Sequence, residues 1–153
     1  LGVRGSPRRL GLPNEDLPKV TYNLVDPQQY QQKHIVVVGG GNAGVEAAQY
    51  LGKKNLQNHV TLLVRGDAFD RCNEENQKII FNMQKLGLVN IWFKSSVKEI
   101  QADHLVVEKE GQSQKLKNDF LFIFAGAEMP FKFLMSLGVQ IDKKFGESAA
   151  KKA

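Results

Sequence analysis

One stretch of the sequence, HIVVVGGGNAGVEAA at residues 34–48, narrows the choice of fold more than any other. It contains a run of four β-branched residues, turns through a cluster of glycines and continues into residues that favour a helix. Gly39, Gly41 and Gly44 stand at the G-x-G-x-x-G positions. A strand that passes through such a turn into a helix is typical of a dinucleotide-binding βαβ unit.

Each glycine of this turn has a separate predicted task. Gly39 allows the tight turn, Gly41 lets the backbone approach a pyrophosphate, and Gly44 lets the helix pack closely on the strand. The free N–H groups at the helix start would bind the anion. The alternative is a glycine-rich turn without a ligand, although the small Ala48 also favours close helix–strand contact. We predict a pyrophosphate site made of Gly39, Gly40, Gly41, Asn42, Ala43, Gly44 and Val45.

The composition is that of an ordinary globular chain. The 153 residues suffice for about one domain, and 42% of them are hydrophobic and 24% charged. No apolar run approaches the ~18 residues that span a bilayer, which argues against a membrane protein. Lysines and arginines are scattered among acids, so the net charge of +5 favours a solvated surface over a nucleic-acid interface.

Cys72 is the single cysteine of the chain, so an internal disulfide is impossible and a reducing, cytoplasmic compartment is expected. At a helix start this residue is either a packing residue without a redox role or a thiol with a lowered pKa. The arginine-rich beginning lacks the apolar core of a secretory signal, and Leu1 in place of methionine suggests a processed or excised piece.

The order of apolar runs and turn residues predicts an α/β fold. Prolines make residues 1–32 an extended connector with a short strand near residues 20–24. Strands and helices then alternate, which indicates parallel strands joined by right-handed crossovers. We predict strands at 34–38, 59–64, 89–94 and 120–125, helices at 43–54, 73–86 and 131–137, and an antiparallel meander over 97–117. The expected architecture is a Rossmann-like three-layer domain over residues 33–140, followed by a tail at 141–153.

The end of the second strand of this unit bears on which dinucleotide would bind. An NAD site usually has an acid there that accepts hydrogen bonds from the adenine ribose, but this strand ends in VRG. A guanidinium suits a ribose 2′-phosphate instead, so NADP(H) is the predicted cofactor and Arg65 its ligand. Arg71 either reaches the same phosphate or pairs with a following glutamate. Asp67 lies close enough to accept the ribose hydroxyls, so NAD(H) stays an alternative.

Other chemistries find no support in the sequence. The lysine and hydroxyl of a phosphate-transferring P-loop are missing after the glycines, and so is the acid that a methyl-donor cofactor would need. The three histidines are isolated from one another, so no metal site is predicted. Without a nucleophile elbow or similar signature, no catalytic residue is assigned, and hydride chemistry would belong to a bound cofactor.

Three segments resemble the pyridine-nucleotide-disulfide oxidoreductases, in particular the thioredoxin-reductase-like flavoproteins. VVVGGGNAGVEAAQYL is similar to their NADPH-domain fingerprint, VRGDAF to their second-strand H-R-R-D-x-F segment, and FLFIFAGAEMPFKFL to their closing strand with its G-x-x-P turn. The resemblance covers residues 34–138 and includes the inserted meander. LGVRGSPRRLGLPNED resembles the passage from the FAD domain of these enzymes to the NADPH domain.

The resemblance implies an NADP(H)-binding domain that presents the nicotinamide to a flavin, as one part of a longer flavoenzyme that could be a homodimer. No FAD fingerprint is present in this sequence, so FAD is expected only on the FAD domain of the parent protein. The isolated chain would then be inactive. The rival hypothesis is a non-catalytic module in which the bound nicotinamide nucleotide changes the contacts of a partner chain.

The sequence departs from the family in two motifs. Val64 replaces the histidine and Gly66 the second arginine of the second-strand motif, which leaves Arg65 as the matching position and weakens the expected 2′-phosphate preference. The C-x-x-C dithiol of thioredoxin reductases is replaced by VDPQQYQQKH. The resemblance is therefore closer to relatives without that dithiol, such as the bacillithiol-disulfide-reductase type, or to NADPH modules fused to other redox domains.

The resemblance also indicates residues at the nicotinamide end of the site. Glu46 matches a glutamate that many of these domains carry there, or is a first-turn residue favoured by the helix dipole. Ala125 ends the predicted closing strand, and Gly126 and Pro130 come after it, at the sheet edge where ligands of open α/β folds bind. A plain turn explains Gly126 and Pro130 almost as well.

Overall fold

A computed structural model of the chain describes residues 9–69 and 71–124. In that part of the chain, five parallel strands form one sheet, three antiparallel strands form a second sheet, and two α-helices cross between parallel strands. The strands are β1 (Val20–Thr21), β2 (His34–Val38), β3 (His59–Leu63), β4 (Val89–Trp92), β5 (Ser95–Ile100), β6 (His104–Lys109), β7 (Gln112–Lys117) and β8 (Phe120–Ile123). The helices are α1 (Asn42–Leu51) and α2 (Glu74–Lys85).

The parallel sheet has the strand order β1-β8-β2-β3-β4. The chain leaves β2 through α1 to reach β3, and leaves β3 through α2 to reach β4, so the predicted βαβαβ unit is confirmed. The closing strand β8 returns to the other side of β2. Val38, at the carboxyl end of β2, therefore lies between Leu63 and Ile123 of the two neighbouring strands.

Successive residues of the central strands face two different cores. Ile35 and Val37 pack with α1 and α2, whereas Val36 and Val38 pack with the antiparallel sheet. Each buried aliphatic side chain of this size contributes about 1.5–3 kcal/mol of transfer free energy. Because both faces of β2 and β8 are covered, their uninterrupted apolar sequences are explained, and the predicted three-layer arrangement is confirmed.

The antiparallel sheet is the predicted meander. Val97 and Ile100 of β5 and Leu105 and Val107 of β6 are buried against the parallel sheet, while charged residues between them face outward. The register between β5 and β6 shifts between Val97 and Glu99, so β5 carries a bulge. The inserted layer therefore covers the face of the parallel sheet that the helices leave open.

The first helix ends earlier than predicted. We expected it to reach residue 54, but α1 ends at Leu51 and Gly52 forms its C-cap. Gly52 is buried, and a Cβ there would lie 2.6 Å from Cγ2 of Val89. The glycine thus permits close packing of the helix end on β4, and a short 3-10 turn at Lys54–Leu56 follows.

The part of the expected connector that the structure describes is folded against the domain. Residues 9–22 lie on the same core as the meander and supply β1 to the edge of the parallel sheet. The Glu15 carboxylate accepts hydrogen bonds from the backbone N–H groups of residues 10–12 and from the Tyr22 hydroxyl at 2.6 Å. Burial raises the pKa of Glu15, but these bonds outweigh it and hold the pKa below 4.5.

Candidate nucleotide-binding site

The glycine turn lies at the carboxyl end of β2, between the ends of β3 and β8. Gly39 has a φ of +136°, which side chains rarely adopt, and its N–H donates to the Leu63 carbonyl at 3.0 Å. A Cβ on Gly39 would overlap the carbonyl oxygen of Phe124. The turn is thus held from both neighbouring strands, and packing alone requires glycine at this position.

Two further glycines are also required by packing. Gly44 is buried in the first turn of α1, and a Cβ there would overlap the carbonyl oxygen of Gly39. A Cβ on Gly40 would lie 2.8 Å from Cγ1 of the buried Val64. The helix and the end of β3 can therefore both approach the turn closely, as the spacing of the glycines predicts.

Gly41 differs from these three glycines because the protein leaves its surroundings open. A Cβ on Gly41 would meet no atom closer than Cβ of Arg71, at 3.8 Å. Its φ of −88° and ψ of −178° are extended backbone that any residue adopts. Neither packing nor backbone conformation explains a glycine here, so the space beside it is available to a ligand.

The start of α1 offers unpaired backbone donors next to Gly41. No side chain caps this helix end, and the first N–H groups of a helix have no partner within it. We expected the amides of four residues from Asn42 to Val45 to bind the pyrophosphate. The Val45 amide already donates to the Gly41 carbonyl at 3.0 Å, and Val45 is buried, so this residue is removed from the expected set. The amides of Asn42, Ala43 and Gly44 remain.

The loop after β3 presents Arg65 and Gly66 to solvent between two anchored residues. Val64 and Phe69 are buried, and the Phe69 ring packs edge-on against Phe93 with a centroid distance of 5.1 Å. The side chain of Arg65 is exposed and follows the carboxyl end of β3, at the same sheet edge as the glycine turn. This is the position that the sequence predicts for it.

Arg71 lies beside the glycine turn. Its backbone pairs with that of Gly41 in a parallel bridge, and its side chain is exposed. Within the described ranges, no ion pair joins Arg71 to Glu74 or Glu75. The predicted alternative in which Arg71 pairs with a following glutamate is therefore not observed, and the Cβ of Arg71 lies 3.8 Å from the position of a Cβ on Gly41.

An asparagine network joins α1 to the start of α2. Oδ1 of Asn42 accepts hydrogen bonds from the Asn73 amide at 2.9 Å and from Nδ2 of Asn76 at 3.1 Å. Nδ2 of Asn76 also donates to a carboxylate oxygen of Glu46 at 2.9 Å. The side chain of Glu46 is thus engaged within the protein. Sequence reasoning missed Asn73 and Asn76, because no motif marks contacts between residues about 30 positions apart.

Cys72 is a packing residue. Its side chain is half-buried against the core that contains the helices. Burial, and to a smaller degree the negative charge of Glu46, raise the pKa of the thiol to about 11. The alternative expectation of a thiol with a lowered pKa is therefore wrong for the folded chain.

Several other expectations concern metals, membranes and the nicotinamide end. Across the described residues, no three His, Cys, Asp or Glu side chains come together as metal ligands. In the same ranges, no helix has the length and apolar content to cross a bilayer. Ala125, Gly126, Pro130, the helix expected at 131–137 and the tail all lie outside the described residues.

Comparison with known proteins identifies relatives of this arrangement. The sequence matches the family model of the pyridine nucleotide-disulphide oxidoreductases over residues 1–151. It is 36% identical over 146 residues to the ferredoxin–NADP reductase of Ignicoccus hospitalis, which covers 94% of this chain and 47% of that protein. It is 33% identical over 152 residues to bacilliredoxin reductase Bdr of Bacillus subtilis, which covers 95% and 45%, respectively. The chain thus spans about half the length of these curated relatives.

Solved structures show the same fold. Bacillithiol disulfide reductase Bdr from Bacillus cereus superposes with a TM-score of 0.76 at 30% identity, covering 91% of this chain and 43% of that one. Thioredoxin reductase from Lactococcus lactis superposes with a TM-score of 0.70 at 26% identity, covering 90% and 47%. The predicted resemblance to this family is therefore confirmed. Since the family model spans nearly the whole sequence, the chain belongs to the pyridine nucleotide-disulphide oxidoreductase family.

Proposed function

We propose that this chain is the NADP(H)-binding domain of an FAD-dependent oxidoreductase and presents the nicotinamide ring for hydride transfer to the flavin. One observation carries the proposal: packing requires Gly39 and Gly44, whereas the space beside Gly41 is left open. A ligand that needs close contact with the backbone explains a glycine that the protein itself does not need. That a relative at 36% identity is a ferredoxin–NADP reductase supports the choice of nucleotide.

The pyrophosphate of the dinucleotide would lie between Gly41 and the start of α1. The amides of Asn42, Ala43 and Gly44 point along the helix axis and add to the positive end of the helix dipole. The backbone of Arg71 pairs with that of Gly41, so the guanidinium of this residue would add a full positive charge on that side of the pyrophosphate. In this arrangement Arg71 binds the pyrophosphate, which NADH and NADPH share, rather than the 2′-phosphate.

The 2′-phosphate would lie at the loop after β3. Arg65 is exposed there, and a guanidinium binds phosphate through forked, charge-assisted hydrogen bonds. Asp67 in the same loop is also exposed and would instead favour the ribose hydroxyls of NADH. We assign the preference to NADPH because Arg65 directly follows the strand end, where the ribose of a dinucleotide lies in this fold.

Hydride chemistry requires the two cofactors and not a side chain of this domain. When bound, the nicotinamide supplies the hydride and the flavin of the FAD domain receives it. The residues described above bind and orient the dinucleotide. Glu46 contributes by holding Asn76, and through it Asn42, at the start of α1.

Calorimetric titration of the purified chain with NADPH, NADH and FAD, each alone, tests the proposal. We expect binding of NADPH, weaker binding of NADH and none of FAD. Absence of binding by both nicotinamide nucleotides would refute it. A second experiment distinguishes hydride transfer from the rival function of a non-catalytic module. The chain is joined to the FAD domain of a relative and NADPH is added: a domain that transfers hydride bleaches the flavin absorbance, and a non-catalytic module does not.

A further inference from the structure

A cavity of about 260 Å³ lies between the Arg65 loop and the meander. Arg65 and Lys94 line it from the ends of β3 and β4, and Ser96, Glu108 and Glu110 line it from the meander. Both strand ends belong to the carboxyl edge of the parallel sheet, which also carries the glycine turn. The cavity is therefore next to the position proposed for the adenine ribose.

Backbone contacts hold Lys94 at this cavity. Its N–H donates to the carbonyl of Gly66 at 2.9 Å, and its own carbonyl accepts from the N–H of Glu110 at 2.9 Å. Lys94 and Glu110 both have a φ of +52°, which is uncommon for residues with a side chain. Glu110 and Gly111 form the two-residue turn between β6 and β7, which requires a positive φ at both positions, so the bond from Glu110 ties Lys94 to the meander.

The charges around the cavity are unevenly neutralised. Glu108 forms an ion pair with Lys98 at 3.1 Å, and Lys98 is not one of the residues that line the cavity. In the ranges that the structure describes, no carboxylate lies within 4.0 Å of the cationic groups of Arg65 or Lys94. Two cations without a carboxylate partner thus share a cavity in which one of the two carboxylates is already paired.

We propose that Lys94 is a second specificity-determining residue, which binds the 2′-phosphate of NADP(H) together with Arg65. This inference rests on the proposed function and extends it. A phosphate dianion between two cations gains charge-assisted hydrogen bonds from both, and NADH lacks the group that would make them. The exposed carboxylate of Glu110 would repel the 2′-phosphate and so limits the preference for NADPH over NADH.

The test compares nucleotide affinities of single variants by calorimetry. Lys94→Asn removes the charge and keeps a residue type that tolerates the left-handed backbone. We expect it to weaken NADPH and 2′,5′-ADP by about tenfold and to change NADH less than twofold. Lys94→Arg should keep the NADPH affinity of the wild type, because the positive charge is retained. Glu110→Gln should raise the NADPH affinity above that of the wild type. Lys115→Asn is the matched control, because it removes the same charge from an exposed position on β7.

The outcomes separate the inference from the function on which it rests. Equal weakening of NADPH and NADH binding by Lys94→Asn would overturn the specificity role. So would an NADPH affinity of Lys94→Asn that equals that of the wild type, provided that the wild type binds NADPH. Loss of NADH binding in Glu110→Gln would show that the cavity binds ribose hydroxyls instead, and would also overturn it. A wild type that binds neither nucleotide refutes the proposed function itself.

Discussion

Two glycines of one turn illustrate how the same residue type serves the fold at one position and the ligand at another. Gly44 has no room for a Cβ because the Gly39 carbonyl lies against it, and the cause is internal packing. Gly41 has room for a Cβ in the protein alone. The two positions therefore separate stability from binding at the scale of single residues.

Gly41→Ala should fold with near-native stability and lose most of its affinity for NADPH and NADH alike, because the methyl group would occupy the pyrophosphate position. The larger side chain of Gly41→Val should abolish both affinities. Gly44→Ala should instead destabilise the chain by about 1–3 kcal/mol through overpacking. Thermal unfolding and nucleotide titration of the variants measure the two effects. Tight nucleotide binding by Gly41→Val would contradict the assigned role of Gly41.

Arg65 and Arg71 should have different effects when each is replaced by alanine. Arg65→Ala should weaken NADPH by about tenfold or more and leave NADH nearly unchanged, because only NADPH carries the 2′-phosphate. Arg71→Ala should weaken both nucleotides to a similar extent, since its backbone pairs with Gly41. The ratio of the two dissociation constants in each variant is the measurement. An unchanged ratio in Arg65→Ala would remove that residue from the 2′-phosphate site.

At the scale of elements, α1 and α2 are joined by hydrogen bonds as well as by apolar packing. Asn76 is buried at the start of α2, and its side-chain amide bonds Asn42 and Glu46 on α1. Its own amide N–H donates to Oδ1 of Asn73, which caps α2. This network fixes the loop that carries Arg71 relative to the glycine turn.

Asn76→Ala should lower the free energy of unfolding by about 1–3 kcal/mol, because it leaves Asn42 and Glu46 without their shared donor. It should also weaken both nucleotides, since the position of the first turn of α1 depends on the same bonds. Lys78→Ala, at an exposed position of the same helix, serves as the control. Chemical denaturation and calorimetry give the two quantities. A variant as stable as the control would argue against the network.

The N-terminal segment depends on the Glu15 carboxylate. Its pKa is held below 4.5 in the folded chain, so its contribution to stability is complete above that value and is lost as the pH falls through the folded pKa. Burial is the largest cause that raises the pKa of Tyr22, and the hydrogen bond to the Glu15 carboxylate is the second. Together they raise this pKa to about 12. The pair therefore stays bonded as carboxylate and neutral phenol at neutral pH.

Glu15→Gln should be less stable than the wild type at pH 7 by about 2 kcal/mol, because the charged acceptor of four hydrogen bonds is lost. The difference should shrink as the pH is lowered below 4.5. Urea unfolding between pH 7 and pH 3 measures it. Asp16→Asn, an exposed neighbour, should show no such trend. A difference that stays constant with pH would contradict the role of the carboxylate.

At the scale of the whole molecule, the sequence predicts the layers well and the contacts between distant loops poorly. The bounds of β2 agree with the prediction at both ends, because β-branched residues and glycine mark them locally. The predicted end of α1 at residue 54 is wrong because Gly52, a residue type that commonly caps helices, ends the helix at Leu51. Phe124 behind Gly39 and Lys94 beside Gly66 could not be predicted, since the strand order brings together residues that are far apart in sequence.

The central claim is that a dinucleotide pyrophosphate lies against Gly41 and the start of α1. Backbone amide NMR of the 153-residue chain during titration with NADP⁺ tests it directly. We predict that the largest shifts fall on the amides of Gly41, Asn42, Ala43 and Gly44, followed by those of the Arg65 loop. Shifts confined to the opposite edge of the sheet, where His34 and His59 stack, would contradict the claim, and so would a spectrum that NADP⁺ leaves unchanged.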